Sequence, residues 1–133
     1  MPAERGLAAL LKHMKPELRP GIFVFCTIAA NESIHSALDP LLTFREQEGT
    51  TLVILREEAE AVGLRQTFAS RLITLTVHSA LDAVGFLAAV TARLAETGIS
   101  VNAVSAFHHD HLFVPADRAE DAMAVLREIS AVT

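Results

Sequence analysis

The sequence has no tryptophan, no tyrosine and one cysteine. A lone cysteine cannot close an internal disulfide, so a reducing compartment is expected. Cys26 lies in an apolar run, where a buried, inert thiol is the plain reading. Without tryptophan and tyrosine the commonest base-stacking side chains are missing. Lys and Arg number 11 against 16 Asp and Glu, a formal net charge of −5. Binding a phosphate backbone needs clustered cations that displace counterions, so nucleic acid is not an expected partner. Long hydrophobic runs are absent too. Residues 21–30 form the longest, well short of the roughly 20 residues that cross a bilayer. Lys12, Lys15, Glu17 and Arg19 interrupt the N-terminal segment, which does not read as a signal peptide. No membrane partner is expected, and the location is expected to be cytoplasmic.

What is present is ordinary globular material. Half of the 133 residues are hydrophobic, 51%, and 20% are charged, enough for one good core or two small domains that share a sheet. Leu7, Leu10, Leu11 and Met14 recur at helical spacing and predict a helix over residues 4–14 that Pro16 ends. Pro20 and Gly21 make a turn. Residues 22–28 are a continuous apolar run, predicted as a strand buried on both faces. Residues 31–40 are polar and irregular, with room for one helical turn. Residues 42–45 and 51–55 predict a hairpin with Gly49 in its turn. A short helix over 57–62 should end on Gly63 in the left-handed conformation.

The second half is more regular. Ile73, Leu75 and Val77 alternate with Thr74, Thr76 and His78, the pattern of a half-buried strand. Ala83, Phe86, Leu87, Val90 and Leu94 share a helical face over residues 82–97, stopped by Gly98. Residues 99–107 predict a strand, 108–110 a turn, and 111–114 its antiparallel return. Asp117 and Glu120 have capping-box spacing ahead of a last helix whose stripe is Ala119, Ala122, Leu126 and Ile129. This half therefore reads β-α-β-β-α, a ferredoxin-like unit whose fourth strand is missing or borrowed. The first half is a degenerate version of the same order. The predicted fold class is α+β, two βαββαβ units in tandem, sharing an antiparallel sheet or interface.

The stretches His78-Ser79-Ala80-Leu81-Asp82-Ala83-Val84-Gly85-Phe86, residues 98–102 and residues 105–114 resemble the ACT domain family. Residues 44–52 look like the partner unit of small bacterial stand-alone ACT proteins. The whole is similar to paired ACT modules such as the regulatory pair of aspartate kinase. The resemblance implies a degenerate unit over residues 1–66, an ACT unit over residues 67–133, and an amino-acid-binding regulatory role. No kinase or dehydrogenase domain is attached, so any regulated activity is expected on another chain.

Topology and resemblance together point to one rim. The end of the first strand of the second half (His78, Ser79, Ala80), the start of its helix (Asp82, Val84, Gly85, Phe86) and its hairpin (Phe107, His108, Asp110) should converge there. Asn102 on the middle strand is a further candidate. Free N–H groups at a helix start, with the helix dipole, suit a carboxylate. Asp110 opposite suits an ammonium, and together they suit a zwitterionic amino acid. Plainer readings stand beside these. Gly85 eases packing of helix on sheet, Asp82 is an N-cap, Asp110 is a turn residue, and Asn102 caps a backbone group.

His108, His109 and His111, with His78 and Asp110, invite a metal. Neighbouring turn histidines aim poorly at one ion, however, and no helical histidine pair is present. His78, Ser79 and Asp82 are triad letters without a nucleophile elbow. Arg45, Glu46 and Glu48 read as a solvated turn or an interface ion-pair group. No phosphate loop or dinucleotide fingerprint occurs. No catalytic residue, metal or cofactor is expected. The reading is a small-molecule-binding, homodimeric regulatory protein and not an enzyme, with a ligand-free homodimerisation module as the alternative.

Overall fold

A computed structural model describes residues 2–133. In chain order the elements are α1 (Leu7–His13), β1 (Pro16–Leu18), β2 (Phe23–Ile28), β3 (Leu42–Arg45), β4 (Thr50–Leu55), α2 (Arg56–Val62), β5 (Thr67–Leu75), α3 (Phe86–Glu96), β6 (Asn102–Ser105), β7 (Asp110–Pro115), a 3-10 turn (Ala116–Arg118) and α4 (Ala119–Val132). They form two compact units. One is Gly21–Ser70; the other joins residues 2–20 to Arg71–Thr133. Residues 2–20 thus pack with the later part of the chain and not with the 21–70 unit that follows them.

In the 21–70 unit the strands lie in the order β3-β4-β2-β5. Val24, Cys26 and Ile28 point to one face and join Leu52, Ile54 and Ala59 in a small core. β2 alternates buried with less buried residues. It is therefore a half-buried strand, and the expectation of burial on both faces is corrected: the core that α2 closes takes the face of Val24, Cys26 and Ile28, while Phe23, Phe25 and Thr27 on the other face stay partly open; residues 29–41 form no helix. Burial pushes the Cys26 thiol up from its ordinary value and keeps it protonated. The hairpin β3–β4 forms as expected, and Gly63, at φ +70°, closes α2 with its N–H bonded to Glu60 O at 3.2 Å. The Glu58 carboxylate accepts from the Asp39 N–H at 2.6 Å, pinning the irregular segment to α2.

The other unit has the order β1-β5-β7-β6. The strand absent from the second half is supplied by β1, which pairs antiparallel with β5 through Pro16↔Leu75, Glu17↔Thr74 and Leu18↔Ile73. A proline is acceptable as the first residue of a strand, where its lost donor matters least. Both units therefore have the ferredoxin-like order of fourth, first, third, second strand. Residues 67–70 of β5 serve one unit as its fourth strand, and residues 71–75 serve the other as its first. The core gathers Leu10 from α1 and Met14 from its C-cap, Ile73 and Leu75 from β5, Val90 and Leu94 from α3, Leu112 and Val114 from β7, and Leu126 and Ile129 from α4. The expected stripe on α4 is buried in full. From Leu72 to Leu75 every residue of β5 is buried, so it is not the half-buried strand that its alternation predicted; Ile73 and Leu75 join the helices in the core, and Thr74 on the other face meets His111 Nδ1 at 3.0 Å.

Two further expectations fail. Asp117 and Glu120 form no capping box. The chain enters α4 through the 3-10 turn, which puts Asp117 inside the turn, and the residue before the helix, Arg118, makes no side-chain cap. Helix α3 begins at Phe86 and not at residue 82, for a reason given below.

Lys15 joins α1 to β1 with φ +41°, a conformation costing a side-chain-bearing residue about 1–2 kcal/mol. Lys15 is exposed and Thr76 Oγ1 donates to its carbonyl at 2.9 Å, a bond glycine retains. Lys15→Gly should stabilise the protein by about 0.5 kcal/mol, strain relief partly offset by the entropy of an added glycine. A urea midpoint unchanged or lowered contradicts this.

Candidate functional site

After β5 the chain runs through a loop of residues 76–85. The N-terminal segment fastens it. Glu4 bridges Ser79 in parallel register; its N–H donates to His78 O at 2.8 Å, and its carbonyl accepts from Ala80 N–H at 2.9 Å. Arg5 Nε and Asp82 Oδ1 lie 3.0 Å apart, both well exposed. A turn follows, closed by Ala83 N–H to Ala80 O at 3.0 Å.

Gly85 then takes φ +94° and stands as N-cap of α3, with no side-chain cap. A right-handed helix cannot pass through a left-handed residue, so the helix starts at Phe86. This corrects two expectations. Asp82 is not the N-cap; it is held by Arg5 outside the helix. Gly85 is not an interior packing glycine. Its role is conformational, because a Cβ there would meet only Leu7 Cδ2, at an ordinary 3.7 Å. The consequence is chemical: a glycine cap offers no side-chain oxygen to the N–H groups of the first turn, which lack intrahelical partners.

The hairpin meets this point. Asn102↔Phe113 and Ser105↔Asp110 mark its two ends, and Ala106 N–H to His109 O, at 3.0 Å, closes the turn. Asp110 is the first residue of β7 and not a turn residue. It is 6% exposed, and its carboxylate accepts from Ser105 Oγ at 2.7 Å. A cavity of about 130 Å³ lies between loop, helix start and hairpin, lined by Ser79, Ala80, Gly85, Phe86, Leu87, Ala88, Ser105 and Asp110 among others. Beside it a shallower hollow of about 310 Å³ is lined by Ala3, Arg5, His78, Ala80, Leu81, Asp82 and Phe107.

Of the residues expected at the site, Ser79, Ala80, Gly85, Phe86 and Asp110 line the cavity, and His78, Asp82 and Phe107 line the hollow. His108 stacks near both Phe107 and His78, with ring centroids 5.0 and 5.5 Å away. Val84 and Asn102 line neither. Val84 is 85% exposed, and Asn102 sits at the hairpin end remote from Asp110. The sequence reading missed Leu81, Ala83, Leu87, Ala88 and Ser105 in the cavity, and Ala3 and Arg5 in the hollow. Hairpin register would have found Ser105 as the partner of Asp110, and Leu87 and Ala88 follow once Gly85 is the cap. No local signal marks Arg5.

The histidines form a chain of ring contacts and not a cage. His109 lies 6.2 Å from His108 and 6.3 Å from His111, centroid to centroid. Among the described residues no three His, Cys, Asp or Glu side chains converge as metal ligands. His111 Nδ1 is 3.0 Å from Thr74 Oγ1. Burial, foremost, holds its pKa below the ordinary 6.5, with His109 and Arg19 acting the same way and Asp110 opposing them. The fold thus favours the neutral ring. The stability this brings is complete above pH 6.5, where the unfolded chain is also neutral, and is lost as pH falls below it. Urea midpoints should drop between pH 7.5 and pH 5, and His111→Gln, which keeps a partner for Thr74, should drop less. Equal drops contradict the assignment.

The family comparisons agree with this architecture. ACT domain profiles match residues 2–71 and residues 68–128. No curated protein matches the chain. A crystal structure of a Vibrio cholerae protein of unknown function, described as a possible transport protein, is 46% identical. It aligns over 93% of this chain and 95% of its own with a TM-score of 0.85. A protein from Agrobacterium tumefaciens shares 21% identity and a TM-score of 0.75, over 86% of this chain and 87% of that one. The ligand-free regulatory subunit of aspartate kinase from Thermus thermophilus shares the fold at 12% identity and a TM-score of 0.64, over 89% of this chain and 98% of its own. With two consecutive profile matches, a strand order repeated in both units and a relative matched along nearly its full length, this chain belongs to the ACT domain family, as a tandem pair.

Proposed function

We propose that this chain is an amino-acid-binding regulatory module. Family membership suggests a ligand-binding regulatory role, and ACT domains are regulatory and not catalytic. The observation that carries the finer reading is the cavity in which the uncapped first turn of α3 and the buried Asp110 carboxylate share one wall set. A carboxylate at the helix start accepts from free N–H groups and gains from the dipole. An ammonium at Asp110 forms a charge-assisted hydrogen bond out of water. A zwitterion satisfies both ends at once; a simple anion meets Asp110 and a simple cation meets the helix dipole.

Ligand energy becomes regulation only through different affinity for two states, read out at an interface with a second copy or a partner chain in the cytoplasm. The test is a thermal-shift series with the twenty amino acids. A ligand at a hundred times its Kd adds about 2.7 kcal/mol of stability, a shift of several degrees. A competing reading, a homodimerisation module without small ligand, draws on β6, the terminal strand of its unit, whose outer edge is available to pair with a copy. A dimer by light scattering, unmoved by every amino acid, favours that reading.

A further inference from the structure

The hollow beside the cavity is built for a side chain of one class. Ala80 and Leu81 line both spaces, so a ligand whose head group sits at the start of α3 sends its side chain over these two residues into the hollow. We propose that the ligand is an amino acid with a branched aliphatic or aromatic side chain, selected there; this rests on the head-group reading above and deepens it. Three features of the hollow carry it.

First, Leu81 and Phe107 line it while remaining 65% and 70% exposed. They are large apolar surfaces open to water, and an apolar side chain removes that surface from solvent. Second, the charges present cancel. Arg5 and Asp82 are paired at 3.0 Å, so an acidic side chain is drawn to one and repelled by the other, and a basic one likewise. Neither sign is selected. Third, the hollow has more than twice the volume of the cavity, about 310 against about 130 Å³. The space for discrimination lies on the side-chain side, with the rings of Phe107 and His78 in its wall.

Calorimetric titration of the full chain with glycine, alanine, valine, leucine, phenylalanine, aspartate and lysine tests this. A hydrophobic pocket discriminates roughly 10- to 200-fold per methylene. Leucine or phenylalanine should therefore bind at least about tenfold tighter than alanine, aspartate and lysine. Phe107→Ser, at a mostly exposed position that the fold does not need, should pull the leucine-to-alanine ratio toward one. Alanine binding as tightly as leucine, or aspartate or lysine binding tightest, overturns the side-chain assignment and leaves the head-group reading standing. An unchanged ratio in Phe107→Ser also overturns it. Binding of none of the seven overturns both.

Discussion

Asp110→Asn should leave the fold intact and weaken amino-acid binding by about 10- to 100-fold, the worth of one hydrogen bond to a charged group, about 1.5–3 kcal/mol. The substitution is nearly isosteric, and the asparagine carbonyl still accepts from Ser105 Oγ, which now reaches the carboxylate at 2.7 Å. What disappears is the charge. A buried carboxylate bonded to a neutral hydroxyl rather than to a cation is costly to hold, so the free variant should be as stable as the parent or more so. Loss of affinity without loss of stability distinguishes a ligand contact from a structural one. Should the asparagine variant bind as tightly as the parent in calorimetry, Asp110 does not hold the ammonium.

Gly49→Ala should destabilise the protein by more than about 2 kcal/mol. The reason is space. A Cβ at residue 49 would stand 2.4 Å from the carbonyl oxygen of Ile28 and 2.9 Å from Thr27 Oγ1, inside contact distance of a neighbouring main chain that cannot swing aside. Gly49 is buried at the β3–β4 turn, where its carbonyl accepts from Glu46 N–H at 2.9 Å. Relief requires displacing β2 from the hairpin and opening the small core of Val24, Ile28 and Leu52, so the cost belongs with overpacking and strain. Serine should be at least as costly. A denaturant midpoint within experimental error of the parent refutes the close approach.

The regions legible in the sequence were those where pattern and local chemistry coincide. Residues 42–55 gave a hairpin because two apolar runs flank a glycine, and the stripe of α4 is buried because its spacing is that of a helix. The site was legible in outline for the same reason: a glycine after a strand and a hairpin two elements later must meet in a β-α-β-β unit. Its finer roles were not. Asp82 has the right residue type for a cap, but the positive φ of Gly85 excludes it from the helix, and single-residue dihedrals leave no periodic trace. β1 is too short for any pattern, and its Pro16 reads locally as a helix stop; only pairing with Ile73, Thr74 and Leu75 makes it a strand. The early part of β5 was lost to a bulge. Phe23 pairs with Ser70 and Phe25 with Thr67, so β5 carries an extra residue there. Phe68, at φ +57° within it, breaks the alternation while its ring meets Phe25 edge-on at 5.9 Å.

The borrowed strand also sets an order of assembly. As the chain leaves the ribosome, residues 2–20 emerge ahead of the 21–70 unit, but the partners of Leu10 and Met14, on α3, β7 and α4, are made after it. The 21–70 unit, which holds its own small core, is complete far earlier, while α1 still waits. Contacts that close so long a loop are the slow ones. Until α4 is made, the apolar face of α1 stays uncovered and open to a chaperone.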